Sequence, residues 1–370
     1  MTKDTRPPFR ADHVGSLLRP RAIHDARARR AKGEITAEQL KEIEDREIER
    51  VIRKQEEVGL KSITDGEFRR SWWHLDFLWG LDGAEKHVMD TGIKFAAVNT
   101  RNEGVAVTGK LGMSGPHAMV EHYKFVAAHT KQTPKITIPA PSAIYGRPVA
   151  TPIDRKAYPD MDAFWADLGN AYRKAVRGFA DAGCRYLQLD EVFIAMLCDP
   201  NYCEQMRKRG DHPDKLGPIY GDLINAAMSD IPSDMTITMH LCRGNYKSTF
   251  MGSGGYDAEA EVLFNRIKVH GYFMEYDTGR AGGFEPLRFV PKDRRVVLGL
   301  ITSKTGELEN KDTIKRRIDE AAKYISLDQL CLSPQCGFAS TEEGNTLTEE
   351  QQWAKLRLIV EIAEEVWGSR

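Results

Sequence analysis

Four residues far apart in the chain have the chemistry of one metal site: His240 and Cys242 in TMHLC, Glu275 in FMEYD and Cys336 in SPQCGF. Thiolate, imidazole and carboxylate are ligands that Zn2+ takes in tetrahedral array, and the two sulfurs favour it over magnesium or calcium. The paired knuckle of a structural zinc site, C-x2-C, is missing from this set. Two thiolates and a carboxylate outweigh the charge of the ion. A centre so rich in electrons activates water poorly, but it can deprotonate an incoming thiol and hold it as a nucleophile. The carboxylate, the hardest ligand, is the one expected to yield its place.

Such a site needs elements that bring the four residues together. Each closes a short apolar run, and the chain holds eight runs of this kind: 11–18, 61–68, 135–142, 185–192, 235–242, 272–278, 295–302 and 329–336. Their near-continuous apolar character suits parallel strands covered by helices. Residues i and i+2 of a strand share a face, so His240 and Cys242 project together. Helical patterns fill the gaps. Thr36-Ala37-Glu38-Gln39 reads as a capping box ahead of Leu40, Ile43, Ile48, Val51 and Ile52 at helical spacing.

Eight alternations predict one α/β domain over residues 1–370, a (β/α)8 TIM barrel with an N-terminal helical segment. Its site is expected at the C-terminal strand ends. The stretch 70–134 is too long for a plain strand-helix unit, and VAVTGKLGM within it has hairpin character. It is expected to be an insertion after the second strand, over the barrel mouth. A doubly wound sheet is the rival fold, but HVGSLLRP lacks its glycine fingerprint.

Composition narrows the partners. Lys and Arg number 53 against 54 Asp and Glu, a net charge of -1, which recommends neither nucleic acid nor a membrane surface. MTKDTRPPFR has no apolar signal core, and no run approaches a membrane span. Six cysteines in 370 residues make no disulfide framework, so a cytoplasmic protein with reduced thiols is expected.

The succession HVGS, DGE, LDE, H-x-C and CG, spread over the candidate strands, resembles the C-terminal catalytic half of cobalamin-independent methionine synthase. The likeness is closer still to the short, single-barrel homologues of that family and runs over nearly the whole chain. It implies zinc ligation by His240, Cys242, Glu275 and Cys336, and an amino-thiol pocket of Ser16, Glu67 and Asp190. Two carboxylates at strand ends are also what an α-ammonium group requires, although Arg69, Arg70 or Arg185 could claim them instead. Asp65 and Glu191 are expected to point the other way, and His13 is a further candidate for the mouth.

The resemblance breaks at two positions. In GLITSKTGE, Thr302 stands where the family has a His that manages the proton at the folate leaving group. In IPAPSAIYGRP, Tyr145 or Gly146 stands where the family stacks the pterin on a Trp. Transfer from methyltetrahydrofolate requires protonation of the leaving amine, whereas a methylcorrinoid requires none, so both donors stay open. Tyr145 or an aromatic of SWWHLDFLWG could stack a flat ring, while Trp72, Trp73 and Phe77 read first as packing residues of the insertion.

The expectation is a zinc-dependent thiol S-methyltransferase that converts homocysteine to methionine. The alternative is a zinc-dependent alkyltransferase or lyase acting on another thiol, as in the coenzyme M transferases. A sulfonate would want cations where this chain offers Glu67 and Asp190. MGSGGYD (251–257) lacks the G-K-[ST] ending of a phosphate loop and reads as a turn or lid. Arg280 is a loop residue that could meet a substrate carboxylate.

Overall fold

The computed structural model describes residues 6–369. Helices α1 (Arg21–Ala31) and α2 (Ala37–Val58) lead to the short strand β1 (Ser62–Ile63). The predicted capping box opens α2, with Gln39 N–H donating to Thr36 Oγ1 at 3.2 Å and Thr36 N–H to Gln39 Oε1 at 2.9 Å. Beyond β1 come the one-turn helix α3 (Leu75–Leu78), strands β2 (Asp82–Val88) and β3 (Glu103–Gly112), and helix α4 (Met119–His129). β2 and β3 pair antiparallel, so VAVTGKLGM forms one arm of a hairpin.

The rest of the chain alternates strand and helix. β4 (Thr133–Pro134) and β5 (Ile136–Pro139) precede α5 (Met161–Asp181), and β6 (Tyr186–Glu191) precedes α6 (Phe193–Met196), α7 (Pro200–Lys208) and α8 (Pro213–Ala227). β7 (Thr236–Leu241), β8 (Gly271–Glu275) and β9 (Arg295–Ile301) follow, then α9 (Lys311–Ala321), β10 (Leu330–Pro334) and α10 (Glu349–Trp367). Six strands form one parallel sheet in the order β10-β9-β8-β7-β6-β5. β6 and β7 are buried along their whole length, as strands covered on both faces must be. The fold is α/β around a parallel sheet. No helix among the described residues is long and apolar enough to cross a membrane.

The first two expected strands depart from the prediction. β1 reaches only two residues and pairs with β4, and the run 11–18 contributes a single bridge, Ala11 to Leu332. Side chains take over the pairing. The carbonyl of His13 accepts from Lys135 Nζ (2.5 Å), that of Val14 from Thr137 Oγ1 (2.9 Å) and Gln188 Nε2 (2.8 Å), and that of Gly15 from Thr64 Oγ1 (2.7 Å). Buried carbonyls need partners, and polar side chains of neighbouring strands supply them here. Val14 packs with Phe273, Val297 and Cys331 in a small apolar cluster of its own.

Candidate functional site

Strand register assembles the site. β6 and β7 pair with Asp190 opposite His240, Cys242 follows the end of β7, and Cys336 lies just beyond β10. One ligand atom each from His240, Cys242 and Cys336 lies within 4.8 Å of the others, and all three side chains are buried. The His240 ring meets only the Cys336 sulfur, and no nitrogen or oxygen partner answers either ring nitrogen. A buried imidazole left this way beside two sulfurs fits a soft divalent ion such as Zn2+. In the protein as it stands, the Cys242 thiol shares its proton with Cys336. The Cys336 pKa lies well below the usual thiol value, chiefly through that hydrogen bond, and the Cys242 pKa lies well above it.

Glu275, the fourth predicted ligand, closes β8 and is fully buried. It stands apart from the cluster of three. Its Oε1 pairs with Arg280 and lies 3.5 Å from Lys304 Nζ, and its Oε2 accepts the Arg243 N–H at 2.8 Å. Burial pushes its pKa up, but Lys304, Arg280 and Arg243 outweigh burial and hold it below the ordinary value. Arg280 is therefore turned to Glu275 and to the Gly252 carbonyl (3.1 Å).

The two acids expected to hold an ammonium group are buried and partly unanswered. Asp190 Oδ1 and Glu67 Oε2 have no hydrogen-bond partner. Burial drives the Asp190 pKa up to about 8 and that of Glu67 to about 7. Glu67 Oε1 lies 3.6 Å from Arg70 Nη1, whereas Arg69 pairs with Glu44 and Asp45, and Arg185 with Asp234. Glu67 also has a φ of 61°, a left-handed conformation that a non-glycine residue adopts only when its surroundings impose it. Asp65 Oδ1 accepts its N–H at 2.8 Å, and the Arg19 guanidinium holds its carbonyl at 2.9 Å. Ser16 sits against the CG turn: a Cβ at Gly337 would fall 1.9 Å from its Oγ, so only glycine can follow Cys336.

An enclosed cavity of about 50 Å³ opens onto Asp190, Cys242 and Cys336. Trp72, Trp73, Phe95 and Phe193 line its apolar side. Phe95, with Ile93 and Thr100, comes from the loop between β2 and β3, so the hairpin insertion walls the site. Trp72 and Trp73, read from sequence as packing residues, reach the cavity. Phe77 does pack, stacked on His117 at 4.3 Å.

Three other expectations are corrected. Tyr145 turns outward, its hydroxyl bonded to Asp211 (2.5 Å) and its ring against Trp165. Phe193 occupies the space beside Gly146, where a Cβ would come within 2.5 Å of the Phe193 ring. His13 lies at the opposite end of the sheet, bonded to the Ser62 carbonyl at 3.0 Å, with a pKa depressed by burial to about 4. In the 251–257 segment, Met251 lines the cavity. Tyr256 in it is fully buried, and its hydroxyl accepts the Glu275 N–H at 3.0 Å. Glu191 turns from the cavity and accepts from Ser142 and from the N–H groups of Phe193 and Ile194.

The family model described as the cobalamin-independent synthase catalytic domain matches residues 9–365. The chain belongs to that family. Its relatives include YxjH of Bacillus subtilis, an uncharacterized protein 52% identical over 366 residues, 99% of this chain and 96% of that one. A methionine synthase of Pyrococcus abyssi is 25% identical over 327 residues, 88% of this chain and 84% of the relative. Among solved structures, a Listeria monocytogenes protein described as a candidate vitamin-B12-independent methionine synthase superposes with a TM-score of 0.78. It is 41% identical, with 98% of each chain covered.

Within this synthase family the motif residues were legible from sequence, but their supports were not. Arg19 spans the site with bonds to the carbonyls of Ala339 (2.6 Å), Thr341, Glu67 and Arg70, and nothing around it in LLRP signals that role. Thr302 accepts from the Lys304 N–H at 3.3 Å. A buried carboxyl, Asp277, lies beside it within reach of the Thr302 hydroxyl, with Arg280 Nη2 at 3.7 Å and Lys304 Nζ at 3.9 Å, and burial raises its pKa.

Proposed function

We propose that this protein is a zinc-dependent thiol S-methyltransferase that methylates homocysteine to methionine. In this reading the parallel sheet belongs to a single (β/α)8 barrel whose mouth is covered by an insertion at about 70–134. The observation that carries the reading is the cluster of His240, Cys242 and Cys336, with Asp190 opposite His240 in the sheet, beside a cavity that Asp190, Cys242 and Cys336 line. Membership of the synthase family supports methyl transfer, and the Pyrococcus relative is named for this reaction.

His240, Cys242 and Cys336 would hold the ion, with Glu275 as the fourth ligand. Zinc bound there would lower the pKa of an incoming thiol and keep its sulfur nucleophilic. Asp190 and Glu67, each with an unpartnered oxygen, would take the substrate ammonium in charge-assisted hydrogen bonds. Ser16 would complete the amino-thiol pocket beside the CG turn. The aromatic wall excludes water from the sulfur and fixes the line of attack. A new S–C bond forms as the bond from the methyl carbon to the donor breaks, and the thiol proton leaves.

The donor is methyltetrahydrofolate or a methylcorrinoid. The first needs an acid at its leaving nitrogen, which Thr302 cannot be. A cytoplasmic setting would keep the six free cysteines reduced. The test is methionine formation from homocysteine with each donor, using zinc-loaded and chelator-stripped protein. Product with one donor, lost on stripping and restored by zinc, is expected. No product with either donor would overturn the reading.

A further inference from the structure

The cavity wall carries a cation that meets no carboxylate and makes only long contacts. Arg147, in the YGRP turn after β5, is 2% exposed and lines the cavity together with Asp190, Cys242 and Cys336. Its Nη2 makes two long contacts, 3.4 Å to Met89 Sδ and 3.4 Å to the Glu103 carbonyl, and its Nε has no partner. Burial alone acts on its pKa, lowering it to about 10, with no acid close enough to support the charge. His74 joins it on the wall: its Nδ1 is unpartnered, and its pKa is depressed by burial and then by Arg147.

Other buried arginines also leave nitrogens unpartnered (Arg19 Nε, Arg70 Nε and Nη1, Arg243 Nε), but each makes a shorter bond elsewhere. Arg19 donates to four carbonyls, Arg70 to the Thr137 carbonyl (2.6 Å), and Arg243 to the Tyr256 hydroxyl (3.0 Å) and the Gly254 carbonyl. An uncompensated buried guanidinium is expensive, and a binding site can retain one when the ligand brings the counter-charge. The cavity wall thus carries acceptors, Asp190 and the sulfurs, together with one guanidinium fork, Arg147. At about 50 Å³ the cavity has room for a few waters or the head of a small molecule.

We propose that Arg147 is the carboxylate-binding residue of this cavity, holding the α-carboxylate of the thiol substrate whose sulfur meets Cys242 and Cys336. The planar guanidinium fork matches a carboxylate in bidentate fashion, and Asp190 is left for the ammonium group of the same amino acid. This deepens the thiol-methyltransferase reading and rests on it.

The test is calorimetric titration of the zinc-loaded full-length protein with L-homocysteine and with 3-aminopropane-1-thiol, which lacks only the carboxylate. Wild type should bind homocysteine roughly 10- to 100-fold more tightly than the aminothiol. Arg147→Met should bring homocysteine down to the aminothiol level and leave the aminothiol unchanged, with Arg147→Lys in between. Because an unpaired charge is removed, Arg147→Met should melt no lower than wild type, the opposite of what a purely structural arginine predicts.

Equal weakening of both thiols, or of neither, in Arg147→Met would overturn the proposal. Unchanged thiol binding with weakened binding of methyltetrahydrofolate would move the carboxylate to the donor and overturn it as stated. If wild type bound neither thiol, the methyltransferase reading itself would fall. Tighter binding of 2-mercaptoethanesulfonate than of homocysteine would likewise reassign the substrate.

Discussion

The two ends of the parallel sheet treat a buried carboxylate in opposite ways. At the N-terminal end, Asp12 is fully buried and fully answered. It accepts from Ser62 Oγ (2.7 Å), Lys135 Nζ (3.1 Å), Tyr186 Oη (2.8 Å) and the N–H groups of Phe9 and His13. Burial alone would raise its pKa, but Lys135 and the other partners hold it below the ordinary value. At the C-terminal end, Asp190 and Glu67 are as deeply placed, yet each keeps an oxygen without a partner, and their pKa values rise to about 8 and about 7. Burial is common to both ends. What differs is whether partners outweigh burial: at Asp12 they do, at Glu67 the nearby Arg70 does not, and an oxygen left open gives a ligand a role to fill.

The sharpest way to break this contrast is Asp12→Ala. Leaving Lys135 buried and unpaired should cost about 3–5 kcal/mol of stability, measured by urea unfolding at pH 7. A loss below about 1 kcal/mol would erase the distinction between the two ends.

Asp190→Asn should do the reverse. Its melting temperature should equal or exceed that of wild type, while homocysteine affinity falls by about 1.5–3 kcal/mol, the worth of a hydrogen bond to a charged group. A variant that melts early and binds normally would assign Asp190 to the scaffold.

Glu67→Gln gives the smallest effect and depends on pH. The folded pKa of Glu67 is about 7 against an ordinary 4.5, so the fold favours the neutral acid. That contribution is whole below about pH 4.5 and is lost as the pH rises to 7. In metal-free protein the variant should melt with wild type near pH 4.5 and a few degrees above it at pH 8. A gap that narrows with rising pH would contradict the sign.

How much of this was legible in the sequence follows the same division. His240, Cys242, Cys336 and Asp190 could be read because strand periodicity and strand order fix where they point. The run 11–18 looked like a strand because its residues are apolar. Its ladder is replaced by the side chains of Lys135, Thr137, Gln188 and Thr64, and no local pattern reports that. Arg147, His74 and Trp73 meet at the cavity from two loops, joined there by Ile93, Phe95 and Thr100 of the loop between β2 and β3. That contact joins segments far apart in the chain and leaves no mark on hydrophobic spacing. Tyr145 was misjudged for a related reason: Asp211 and Trp165, which turn it outward, lie 66 and 20 residues away.

The central claim is that the cluster of His240, Cys242 and Cys336 binds a thiol substrate through zinc. Zinc K-edge X-ray absorption on the purified protein, with and without homocysteine, tests it most directly. The account predicts two sulfurs and two lighter ligands in the resting protein, with a third sulfur appearing when homocysteine is added. A first shell that homocysteine leaves unchanged would contradict it.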